Sequence, residues 1–260
     1  MNKSMSGTCA VGLVIVNGPD SAAFTQGEVV DITIGLLRGW STLYKLAGTY
    51  SPVRPRLLFT VDYKFVTLTV DPATIPAATS ASPTGADYTA REPLWRDPAL
   101  AAMGFGPGIA GIASYNTSLL NKAWSIGTAT SAYTVFITKY PAAWMAYTYG
   151  ASAYMVLQYP WVSTNGSGFP AGGWGNSWPN VYAHETGHIF QAPDEYFASS
   201  CSKTATFGAL NVPNSNCQTT ATEAVSSCLM FHNTEDLCNA TVQTFGWVDA
   251  DGDGVLDVTP

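Results

Sequence analysis

Hydrophobic and polar positions near the start of the chain alternate in ways that predict a strand and then a helix. Residues 10–16, AVGLVIV, form a short apolar run before the turn signal NGPD, which predicts a buried strand. Thr25 and Glu28 then form a capping box, and Gly48 can end the helix that they open. The apolar positions between these ends recur at helical spacing: Val29, Ile32, Leu36, Trp40 and Leu43.

A second strand is predicted in the segment RLLFTVDYKFVTLTV. Its alternation places Phe59, Val61, Tyr63 and Phe65 on one face. A strand, a helix and a strand in this order predict a sheet with a helix packed on it.

The middle of the chain predicts loops, helices and two further strands. Residues 71–92 are rich in Pro, Ala, Thr and Ser and predict a long loop, after which Asp97 and Pro98 favour a helix start. SYNTSLLNKAWS predicts another helix, and AYTVFITKY and SAYMVLQYPWV predict strands. STNGSGFPAGGWGNSWP predicts a glycine-rich loop, and Pro179 is well placed to open the helix that follows.

Composition and charge narrow the classes of function. The chain has 260 residues, of which 47% are hydrophobic and 11% charged, so we expect a globular protein with a sizeable core. The net charge of -7 argues against a nucleic-acid partner. No apolar run reaches the roughly 18 residues needed to cross a bilayer. Low charge with abundant Thr, Ser, Ala, Gly and Trp is common in secreted bacterial proteins, so we expect an extracellular location.

The N-terminal segment is open to two interpretations. A lysine, a short apolar run and a small-residue end resemble a weak secretion signal. We favour a buried first strand, because the apolar run is short, β-branched and followed directly by a turn.

Four of the five cysteines cluster in the last quarter of the chain. An even set in a loop-rich segment predicts two disulfides in an oxidising compartment, of which the simplest pairing is Cys201 with Cys217 and Cys228 with Cys238. Four cysteines allow three connectivities. A cysteine zinc cluster is less consistent with the sequence, since no C-x-x-C pair occurs. Cys9 lies apart and matches no motif for capping a catalytic metal.

Two of the three histidines lie in VYAHETGHIFQAPDEYF, residues 181–197. On a helix, His184 and His188 share a face and can both reach one ion. Glu185 lies about 100° around the helix from His184, where it can touch a water at that ion but is poorly placed as a ligand. Three titratable groups within five residues point to metal-assisted hydrolysis in a chain otherwise short of charge.

A third ligand is predicted just after this helix. The residue before Pro193 avoids the helical region, so the chain must turn after Gln191. This turn can bring Asp194 back beneath the metal.

The stretch HETGHIFQAPD resembles the zinc-binding consensus of the metzincin metalloendopeptidases, H-E-x-x-H-x-x-G-x-x-H, in which Asp replaces the last His in some members. The resemblance implies that His184, His188 and Asp194 bind zinc. It also implies that Glu185 is the general base.

This sequence departs from the family consensus at one position. The glycine of the consensus falls on Gln191, so we expect a left-handed backbone there at a cost on the order of 1 kcal/mol. A different turn would make Glu195 the ligand instead of Asp194. We favour Asp194.

Metzincins also carry a methionine turn beneath the metal, and SSCLMFHNT resembles it. The resemblance gives Met230 this role, whereas a lone methionine is otherwise core filler. Some relatives have a tyrosine two residues after this methionine, where this chain has His232. His232 either assists the oxyanion or contacts the metal, or is an ordinary surface or core histidine. Tyr196 is a weaker candidate for the same task.

The family resemblance also implies a fold and a division of the chain. We expect an α+β fold with a twisted, mostly parallel sheet, an antiparallel edge strand and packed helices, with the zinc helix at the cleft and a small C-terminal subdomain. SAYMVLQYPWV would be the edge strand, where a peptide substrate can bind by strand addition, and TEDLCNATVQTFGW the closing helix. The expected units are residues 1–190, residues 191–247 and an acidic tail at residues 248–260.

The tail DADGDGVLD resembles a calcium loop. Asp249, Asp251, Asp253 and Asp257 alternate so that hard oxygen ligands can surround one cation, and Gly254 allows the turn. The glutamate expected at the twelfth position of an EF-hand is absent, so a solvated acidic linker is the alternative. Both interpretations suggest further domains after residue 260.

These observations lead to one preferred function and two alternatives. The preferred function is a secreted, monomeric, zinc-dependent endopeptidase that acts on peptide or protein substrates. One alternative is a zinc amidase that acts on cell-wall or glycan amides. The other is a secreted adhesion module whose metals are structural, with a fourth protein ligand such as His232 closing the zinc site.

Overall fold

The structure is a computed structural model that describes residues 4–52, 56–77, 84–159 and 178–257. Most of the predicted glycine-rich loop at residues 163–179 lies outside these ranges. The main sheet has five strands in the order β2-β1-β3-β5-β4. The strands are β1 Gly7–Asn17, β2 Leu57–Thr67, β3 Ser131–Thr138, β4 Ala146–Tyr149 and β5 Tyr154–Gln158.

Four of these strands are parallel, and β4 alone pairs antiparallel, with β5. The predicted mostly parallel sheet with an antiparallel edge strand is therefore confirmed, in a mixed α/β fold. The edge strand itself was assigned wrongly: SAYMVLQYPWV contributes β5, which lies between β3 and β4. The first four residues of β5 are buried, as in an interior strand covered on both faces. The antiparallel edge strand is β4, which comes just before β5 in the sequence.

Helices cover both faces of the sheet, and the central strand alternates between two cores. Leu13 on β1 faces the core that includes Ile32 and Tyr182, whereas the neighbouring Val14 faces the core that includes Trp95 and Tyr115. The first core lies beneath helices α1 Gln26–Tyr50 and α4 Trp178–Ile189. The second lies beneath α2 Gly85–Ala102 and α3 Gly108–Asn121.

The predicted first helix and its capping box are confirmed, and α1 continues two residues past Gly48. The prediction of a loop to residue 92 and of a helix start at Asp97 is wrong, because α2 begins at Gly85 after Thr84 and contains both Pro93 and Pro98. Pro93 and Pro98 each lack a backbone N–H that could donate within the helix. Packing of buried α2 side chains, among them Trp95, against the sheet outweighs this loss. None of the helices in these ranges is both long and apolar enough to cross a membrane.

The chain after α4 returns to the first core. It forms a two-stranded hairpin, β6 Thr206–Phe207 and β7 Val212–Pro213, and two short helices, α5 Leu229–His232 and α6 Asn239–Thr244. The closing helix is thus shorter than predicted. Trp247 donates its indole N–H to the carbonyl of Met5 at 2.8 Å, which ties the end of this segment to the residues before β1.

The predicted pairing of cysteines is half right. Cys201 and Cys217 form a disulfide, with their Cα atoms 5.8 Å apart. Cys228 and Cys238 are free, buried thiols, so their predicted disulfide is wrong. Each is held by other bonds: the Cys228 sulfur accepts from the backbone N–H of Cys238, and the Cys238 thiol donates to Glu195. Cys9 is also free and buried.

Candidate metal centre

The turn that ends α4 positions the residues that follow it. Ala192 donates its backbone N–H to the Gly187 carbonyl and Gln191 donates to that of His188, both at 3.0 Å, which is the bond pattern of a Schellman motif. Gln191 has a φ of 69°, in the left-handed region that such a motif requires at this position. The left-handed backbone expected at Gln191 is therefore confirmed, and the chain reverses there.

This reversal brings Asp194 to both imidazoles. The Nε2 atoms of His184 and His188 lie 3.1 Å and 3.2 Å from the same oxygen, Oδ1 of Asp194. The three residues form a group whose ligand atoms can hold a metal ion. Among the described residues no further His, Cys, Asp or Glu belongs to this group.

The other nitrogen of each imidazole is fixed by the backbone. His184 Nδ1 lies 2.9 Å from the carbonyl oxygen of Leu229, and His188 Nδ1 lies 2.6 Å from that of Ala192. A carbonyl can only accept, so both Nδ1 atoms carry the proton when the rings are neutral. Each Nε2 lone pair then points toward Asp194, which is the arrangement of metal-binding histidines with oriented rings.

The charges of the group are strongly coupled. Burial alone lowers the pKa of His188, but the carboxylate of Asp194 outweighs it and raises that pKa to about 9. Burial opposes ionisation of Asp194 in turn, yet the two imidazoles hold the pKa of Asp194 well below its usual range. A cation is thus the natural partner of this carboxylate, and a metal ion that binds here displaces a proton from His188 at neutral pH.

Replacement of Gln191 by glycine tests the strained turn. A left-handed backbone costs an L-residue roughly 1–2 kcal/mol, of which the extra chain entropy of glycine offsets about 0.5–1 kcal/mol. We expect Gln191→Gly to raise the free energy of unfolding by about 0.5–1 kcal/mol in urea titrations with chelator. Gln191→Ala is the matched control and gains nothing, because it keeps the Cβ. Equal stability of the two variants contradicts the strain.

Glu185 points to a different partner from its histidine neighbours. Its side chain is buried, and its Oε2 accepts a hydrogen bond of 2.7 Å from the hydroxyl of Thr148 on β4. The same hydroxyl lies 3.0 Å from the backbone carbonyl oxygen of Glu185. Glu185 is therefore beside the group formed by His184, His188 and Asp194 without belonging to it.

Of the two candidate acids, the structure places Asp194, and not Glu195, in the group with the two histidines. The Glu195 side chain is fully buried and points away from the histidines. Its carboxylate accepts from Thr241 Oγ1 at 2.7 Å, Asn216 Nδ2 at 2.7 Å and Cys238 Sγ at 3.0 Å. Glu195, Cys228 and Cys238 lie close enough together to form a second candidate metal group. Three donors already satisfy this carboxylate, so we interpret the cluster as a polar network of the core.

Met230 packs directly against α4, the helix that carries His184 and His188. It is fully buried, and a Cβ built on Gly187 of α4 would approach its Sδ to 2.7 Å. The backbone carbonyl of Met230 accepts from the N–H of Glu195 at 3.0 Å, and the preceding carbonyl, of Leu229, holds His184. Met230 thus lies between α4 and the segment that follows Asp194.

Tyr196 and His232, the two candidates for an assisting role, differ in position. The Tyr196 hydroxyl is hydrogen-bonded to Asp194, and burial together with the charges of Asp194 and Glu185 raises its pKa, so the phenol stays a donor. His232 stacks beside Phe231, with ring centroids 3.7 Å apart, and burial lowers its pKa. His232 is not in the metal group, so the described residues provide no closing fourth ligand from it.

The acidic tail brings three of its four predicted ligands together. Asp249, Asp251 and Asp257 form a group with ligand atoms close enough to hold a cation. Asp253 is outside the group, contrary to the prediction, and its Oδ1 accepts the backbone N–H of Val255 at 2.8 Å. The three grouped residues are at or near the surface, where acidic clusters also occur without an ion.

Thr148 and the two backbone carbonyls were not found by sequence reasoning. Thr148 comes from a strand whose place at the sheet edge depends on pairing with β5, and the motif carries no signal for it. Carbonyl groups carry no sequence signal at all.

Comparison with known proteins provides no further guide to the site. No protein-family model matches the chain, and searches of curated proteins and of solved structures find no significant match. The chemistry of the site is therefore inferred from its own geometry.

Proposed function

We propose that this protein is a secreted zinc-dependent endopeptidase of metzincin type. The observation that supports this most is the convergence of His184 Nε2, His188 Nε2 and Asp194 Oδ1, with each imidazole oriented through its other nitrogen. Two imidazoles and one carboxylate form a common ligand set of catalytic zinc, which uses three protein ligands and keeps one position open.

The separations between the ligand atoms suit a zinc ion. Zinc–ligand distances of about 2.0–2.1 Å in a tetrahedron place neighbouring ligand atoms roughly 3.4 Å apart. The two distances to Asp194 Oδ1, 3.1 Å and 3.2 Å, are close to that value. Oxygen-rich sites for calcium or magnesium differ, because they use few or no imidazoles.

The role of each residue in the proposed reaction follows from these positions. Zinc held by His184, His188 and Asp194 would supply Lewis acidity toward the scissile carbonyl and toward a water nucleophile near neutral pH. Glu185 accepts the proton of the attacking water on its carboxylate and passes it to the departing amine. Tyr196, a protonated phenol beside Asp194, is a candidate donor to the developing oxyanion.

Two further features support parts of this proposal. The Cys201–Cys217 disulfide suits an oxidising, extracellular compartment. Strand β4 pairs with β5 alone among the described strands, so its outer edge can bind an extended peptide by strand addition. For the acidic tail, calcium is the cation that three carboxylates favour.

Metal analysis and digestion of a peptide library test the proposal together. We expect one zinc per chain by plasma mass spectrometry, cleavage of internal peptide bonds, loss of cleavage with chelator and its return with added zinc. Calcium is measured in the same samples and assigned to the tail if Asp249→Asn removes it. Turnover only of glycan or cell-wall amides would favour the amidase, and a zinc-loaded chain inert toward both would favour a structural metal.

A further inference from the structure

Thr148 lies where it can control the side chain of Glu185. Its hydroxyl contacts both the carboxylate Oε2, at 2.7 Å, and the backbone carbonyl of the same residue, at 3.0 Å. A glutamate side chain has three rotatable bonds, and a single strong hydrogen bond to one oxygen restricts all of them. We propose that Thr148 is the positioning residue of the general base: it holds Glu185 Oε2 so that Oε1 faces the reacting water. This inference rests on the proposed function.

The fold fixes Thr148 in this orientation from the opposite side of the strand. Tyr147 and Tyr149 flank it in β4, and their side chains point the other way because neighbours alternate across a strand. Their rings pack edge-on against Tyr88, with centroids 4.7 Å and 5.9 Å away, and Tyr149 also stacks on Tyr154 at 4.9 Å. These contacts prevent β4 from rotating about its axis.

A close backbone approach sets the distance between the strand and the helix. A Cβ on Gly150, just after β4, would come within 2.7 Å of the carbonyl oxygen of His188. The end of β4 therefore lies against α4 at the level of the metal ligands. At this separation a threonine hydroxyl reaches Glu185, and a β-branched apolar side chain of the same shape fills the space without a bond.

The hydrogen bond from Thr148 is compatible with both protonation states of Glu185. Toward the carboxylate, the Thr148 hydroxyl donates to Oε2. The proton taken from water resides on Oε1, the oxygen that faces the water, so Oε2 remains an acceptor for the threonine hydroxyl. Thr148 keeps its own proton throughout, so it adds no step to the reaction and leaves no polar group unpaired.

Substitutions that isolate the hydroxyl test the inference. We expect Thr148→Val to lower kcat by about 10- to 100-fold with KM and zinc content unchanged, because a misplaced base costs about this much. Thr148→Ser keeps the hydroxyl and most of the rate, whereas Thr148→Ala, which differs from Ser by one oxygen, loses as much as Val. Thr67→Val, on the other edge strand β2, is the matched control and changes neither constant.

Crystal structures of the zinc-loaded variants give a readout independent of turnover. Glu185 should occupy one position in the wild type and in Thr148→Ser, and several in Thr148→Val and Thr148→Ala. If Glu185 keeps a single position in Thr148→Val and Thr148→Ala, or if kcat is unchanged in both variants, the inference is overturned while the endopeptidase proposal stands. If the wild type cleaves no peptide, the proposed function fails, and the Glu185 positions still decide whether Thr148 holds this side chain.

Discussion

Glu185→Gln should retain zinc and lose at least about 100-fold in kcat, since general base catalysis contributes about 10²–10⁴-fold. The substitution preserves shape and keeps an oxygen that can accept the Thr148 hydrogen bond, so the side chain stays in place. It removes the basic carboxylate, and an amide does not take a proton from water. Zinc is retained because Glu185 is outside the group formed by His184, His188 and Asp194.

This prediction is measured by steady-state kinetics on a cleavable peptide, with zinc counted in the same preparation. Glu235→Gln is the control, because Glu235 is half-exposed and its ion pair with Lys45 lies on the surface. It should change neither rate nor metal content. Full turnover by a zinc-loaded Glu185→Gln variant would assign the base to another residue.

Amide substitutions of the adjacent acids Asp194 and Glu195 should have different effects: the first should weaken zinc binding, and the second should destabilise the fold. Asp194→Asn removes the anion that both imidazoles face, and zinc affinity should fall by more than about 100-fold, since even outer-shell partners contribute 10- to 100-fold. Peptidase activity at limiting zinc should fall with it. The fold should survive, because Asn keeps the size of the side chain and the Asp194 backbone carbonyl still accepts from Asn214 Nδ2.

Glu195→Gln should leave zinc binding intact and weaken the fold. One amide nitrogen would then face donors of Thr241, Asn216 or Cys238, and a buried donor without an acceptor costs about 1–3 kcal/mol. Zinc titration and urea unfolding in chelator distinguish the two variants. A loss of zinc in Glu195→Gln together with its retention in Asp194→Asn would exchange the roles of these acids.

The parts of the site that sequence analysis found are those set by local geometry. The shared face of His184 and His188 follows from the helical period, and the turn at Gln191 follows from Pro193 two residues on. Asp194 comes six residues after His188, just past this turn. Each of these relations spans ten residues or fewer, so neighbours along the chain determine it.

The errors involve features that depend on distant packing. The strand sequences AYTY and YMVLQ look alike in propensity, and only pairing with β3 makes the second one interior. The composition of residues 71–92 suggested a loop and Pro98 suggested a helix start, but buried contacts of α2 with the sheet override both signals. Cys228 and Cys238 are close in sequence and in space, yet each thiol has another partner, which spacing alone does not reveal.

The hydrogen bond from His184 to the carbonyl of Leu229 spans 45 positions of sequence. One imidazole of the centre is consequently oriented by a segment that leaves the ribosome well after the helix that carries it. A nascent chain that ends before this segment contains the motif, but its His184 ring lacks the carbonyl of Leu229 that orients it. In the proposed endopeptidase, full affinity for the ion would thus require the segment that carries Leu229 as well as the helix that carries the motif.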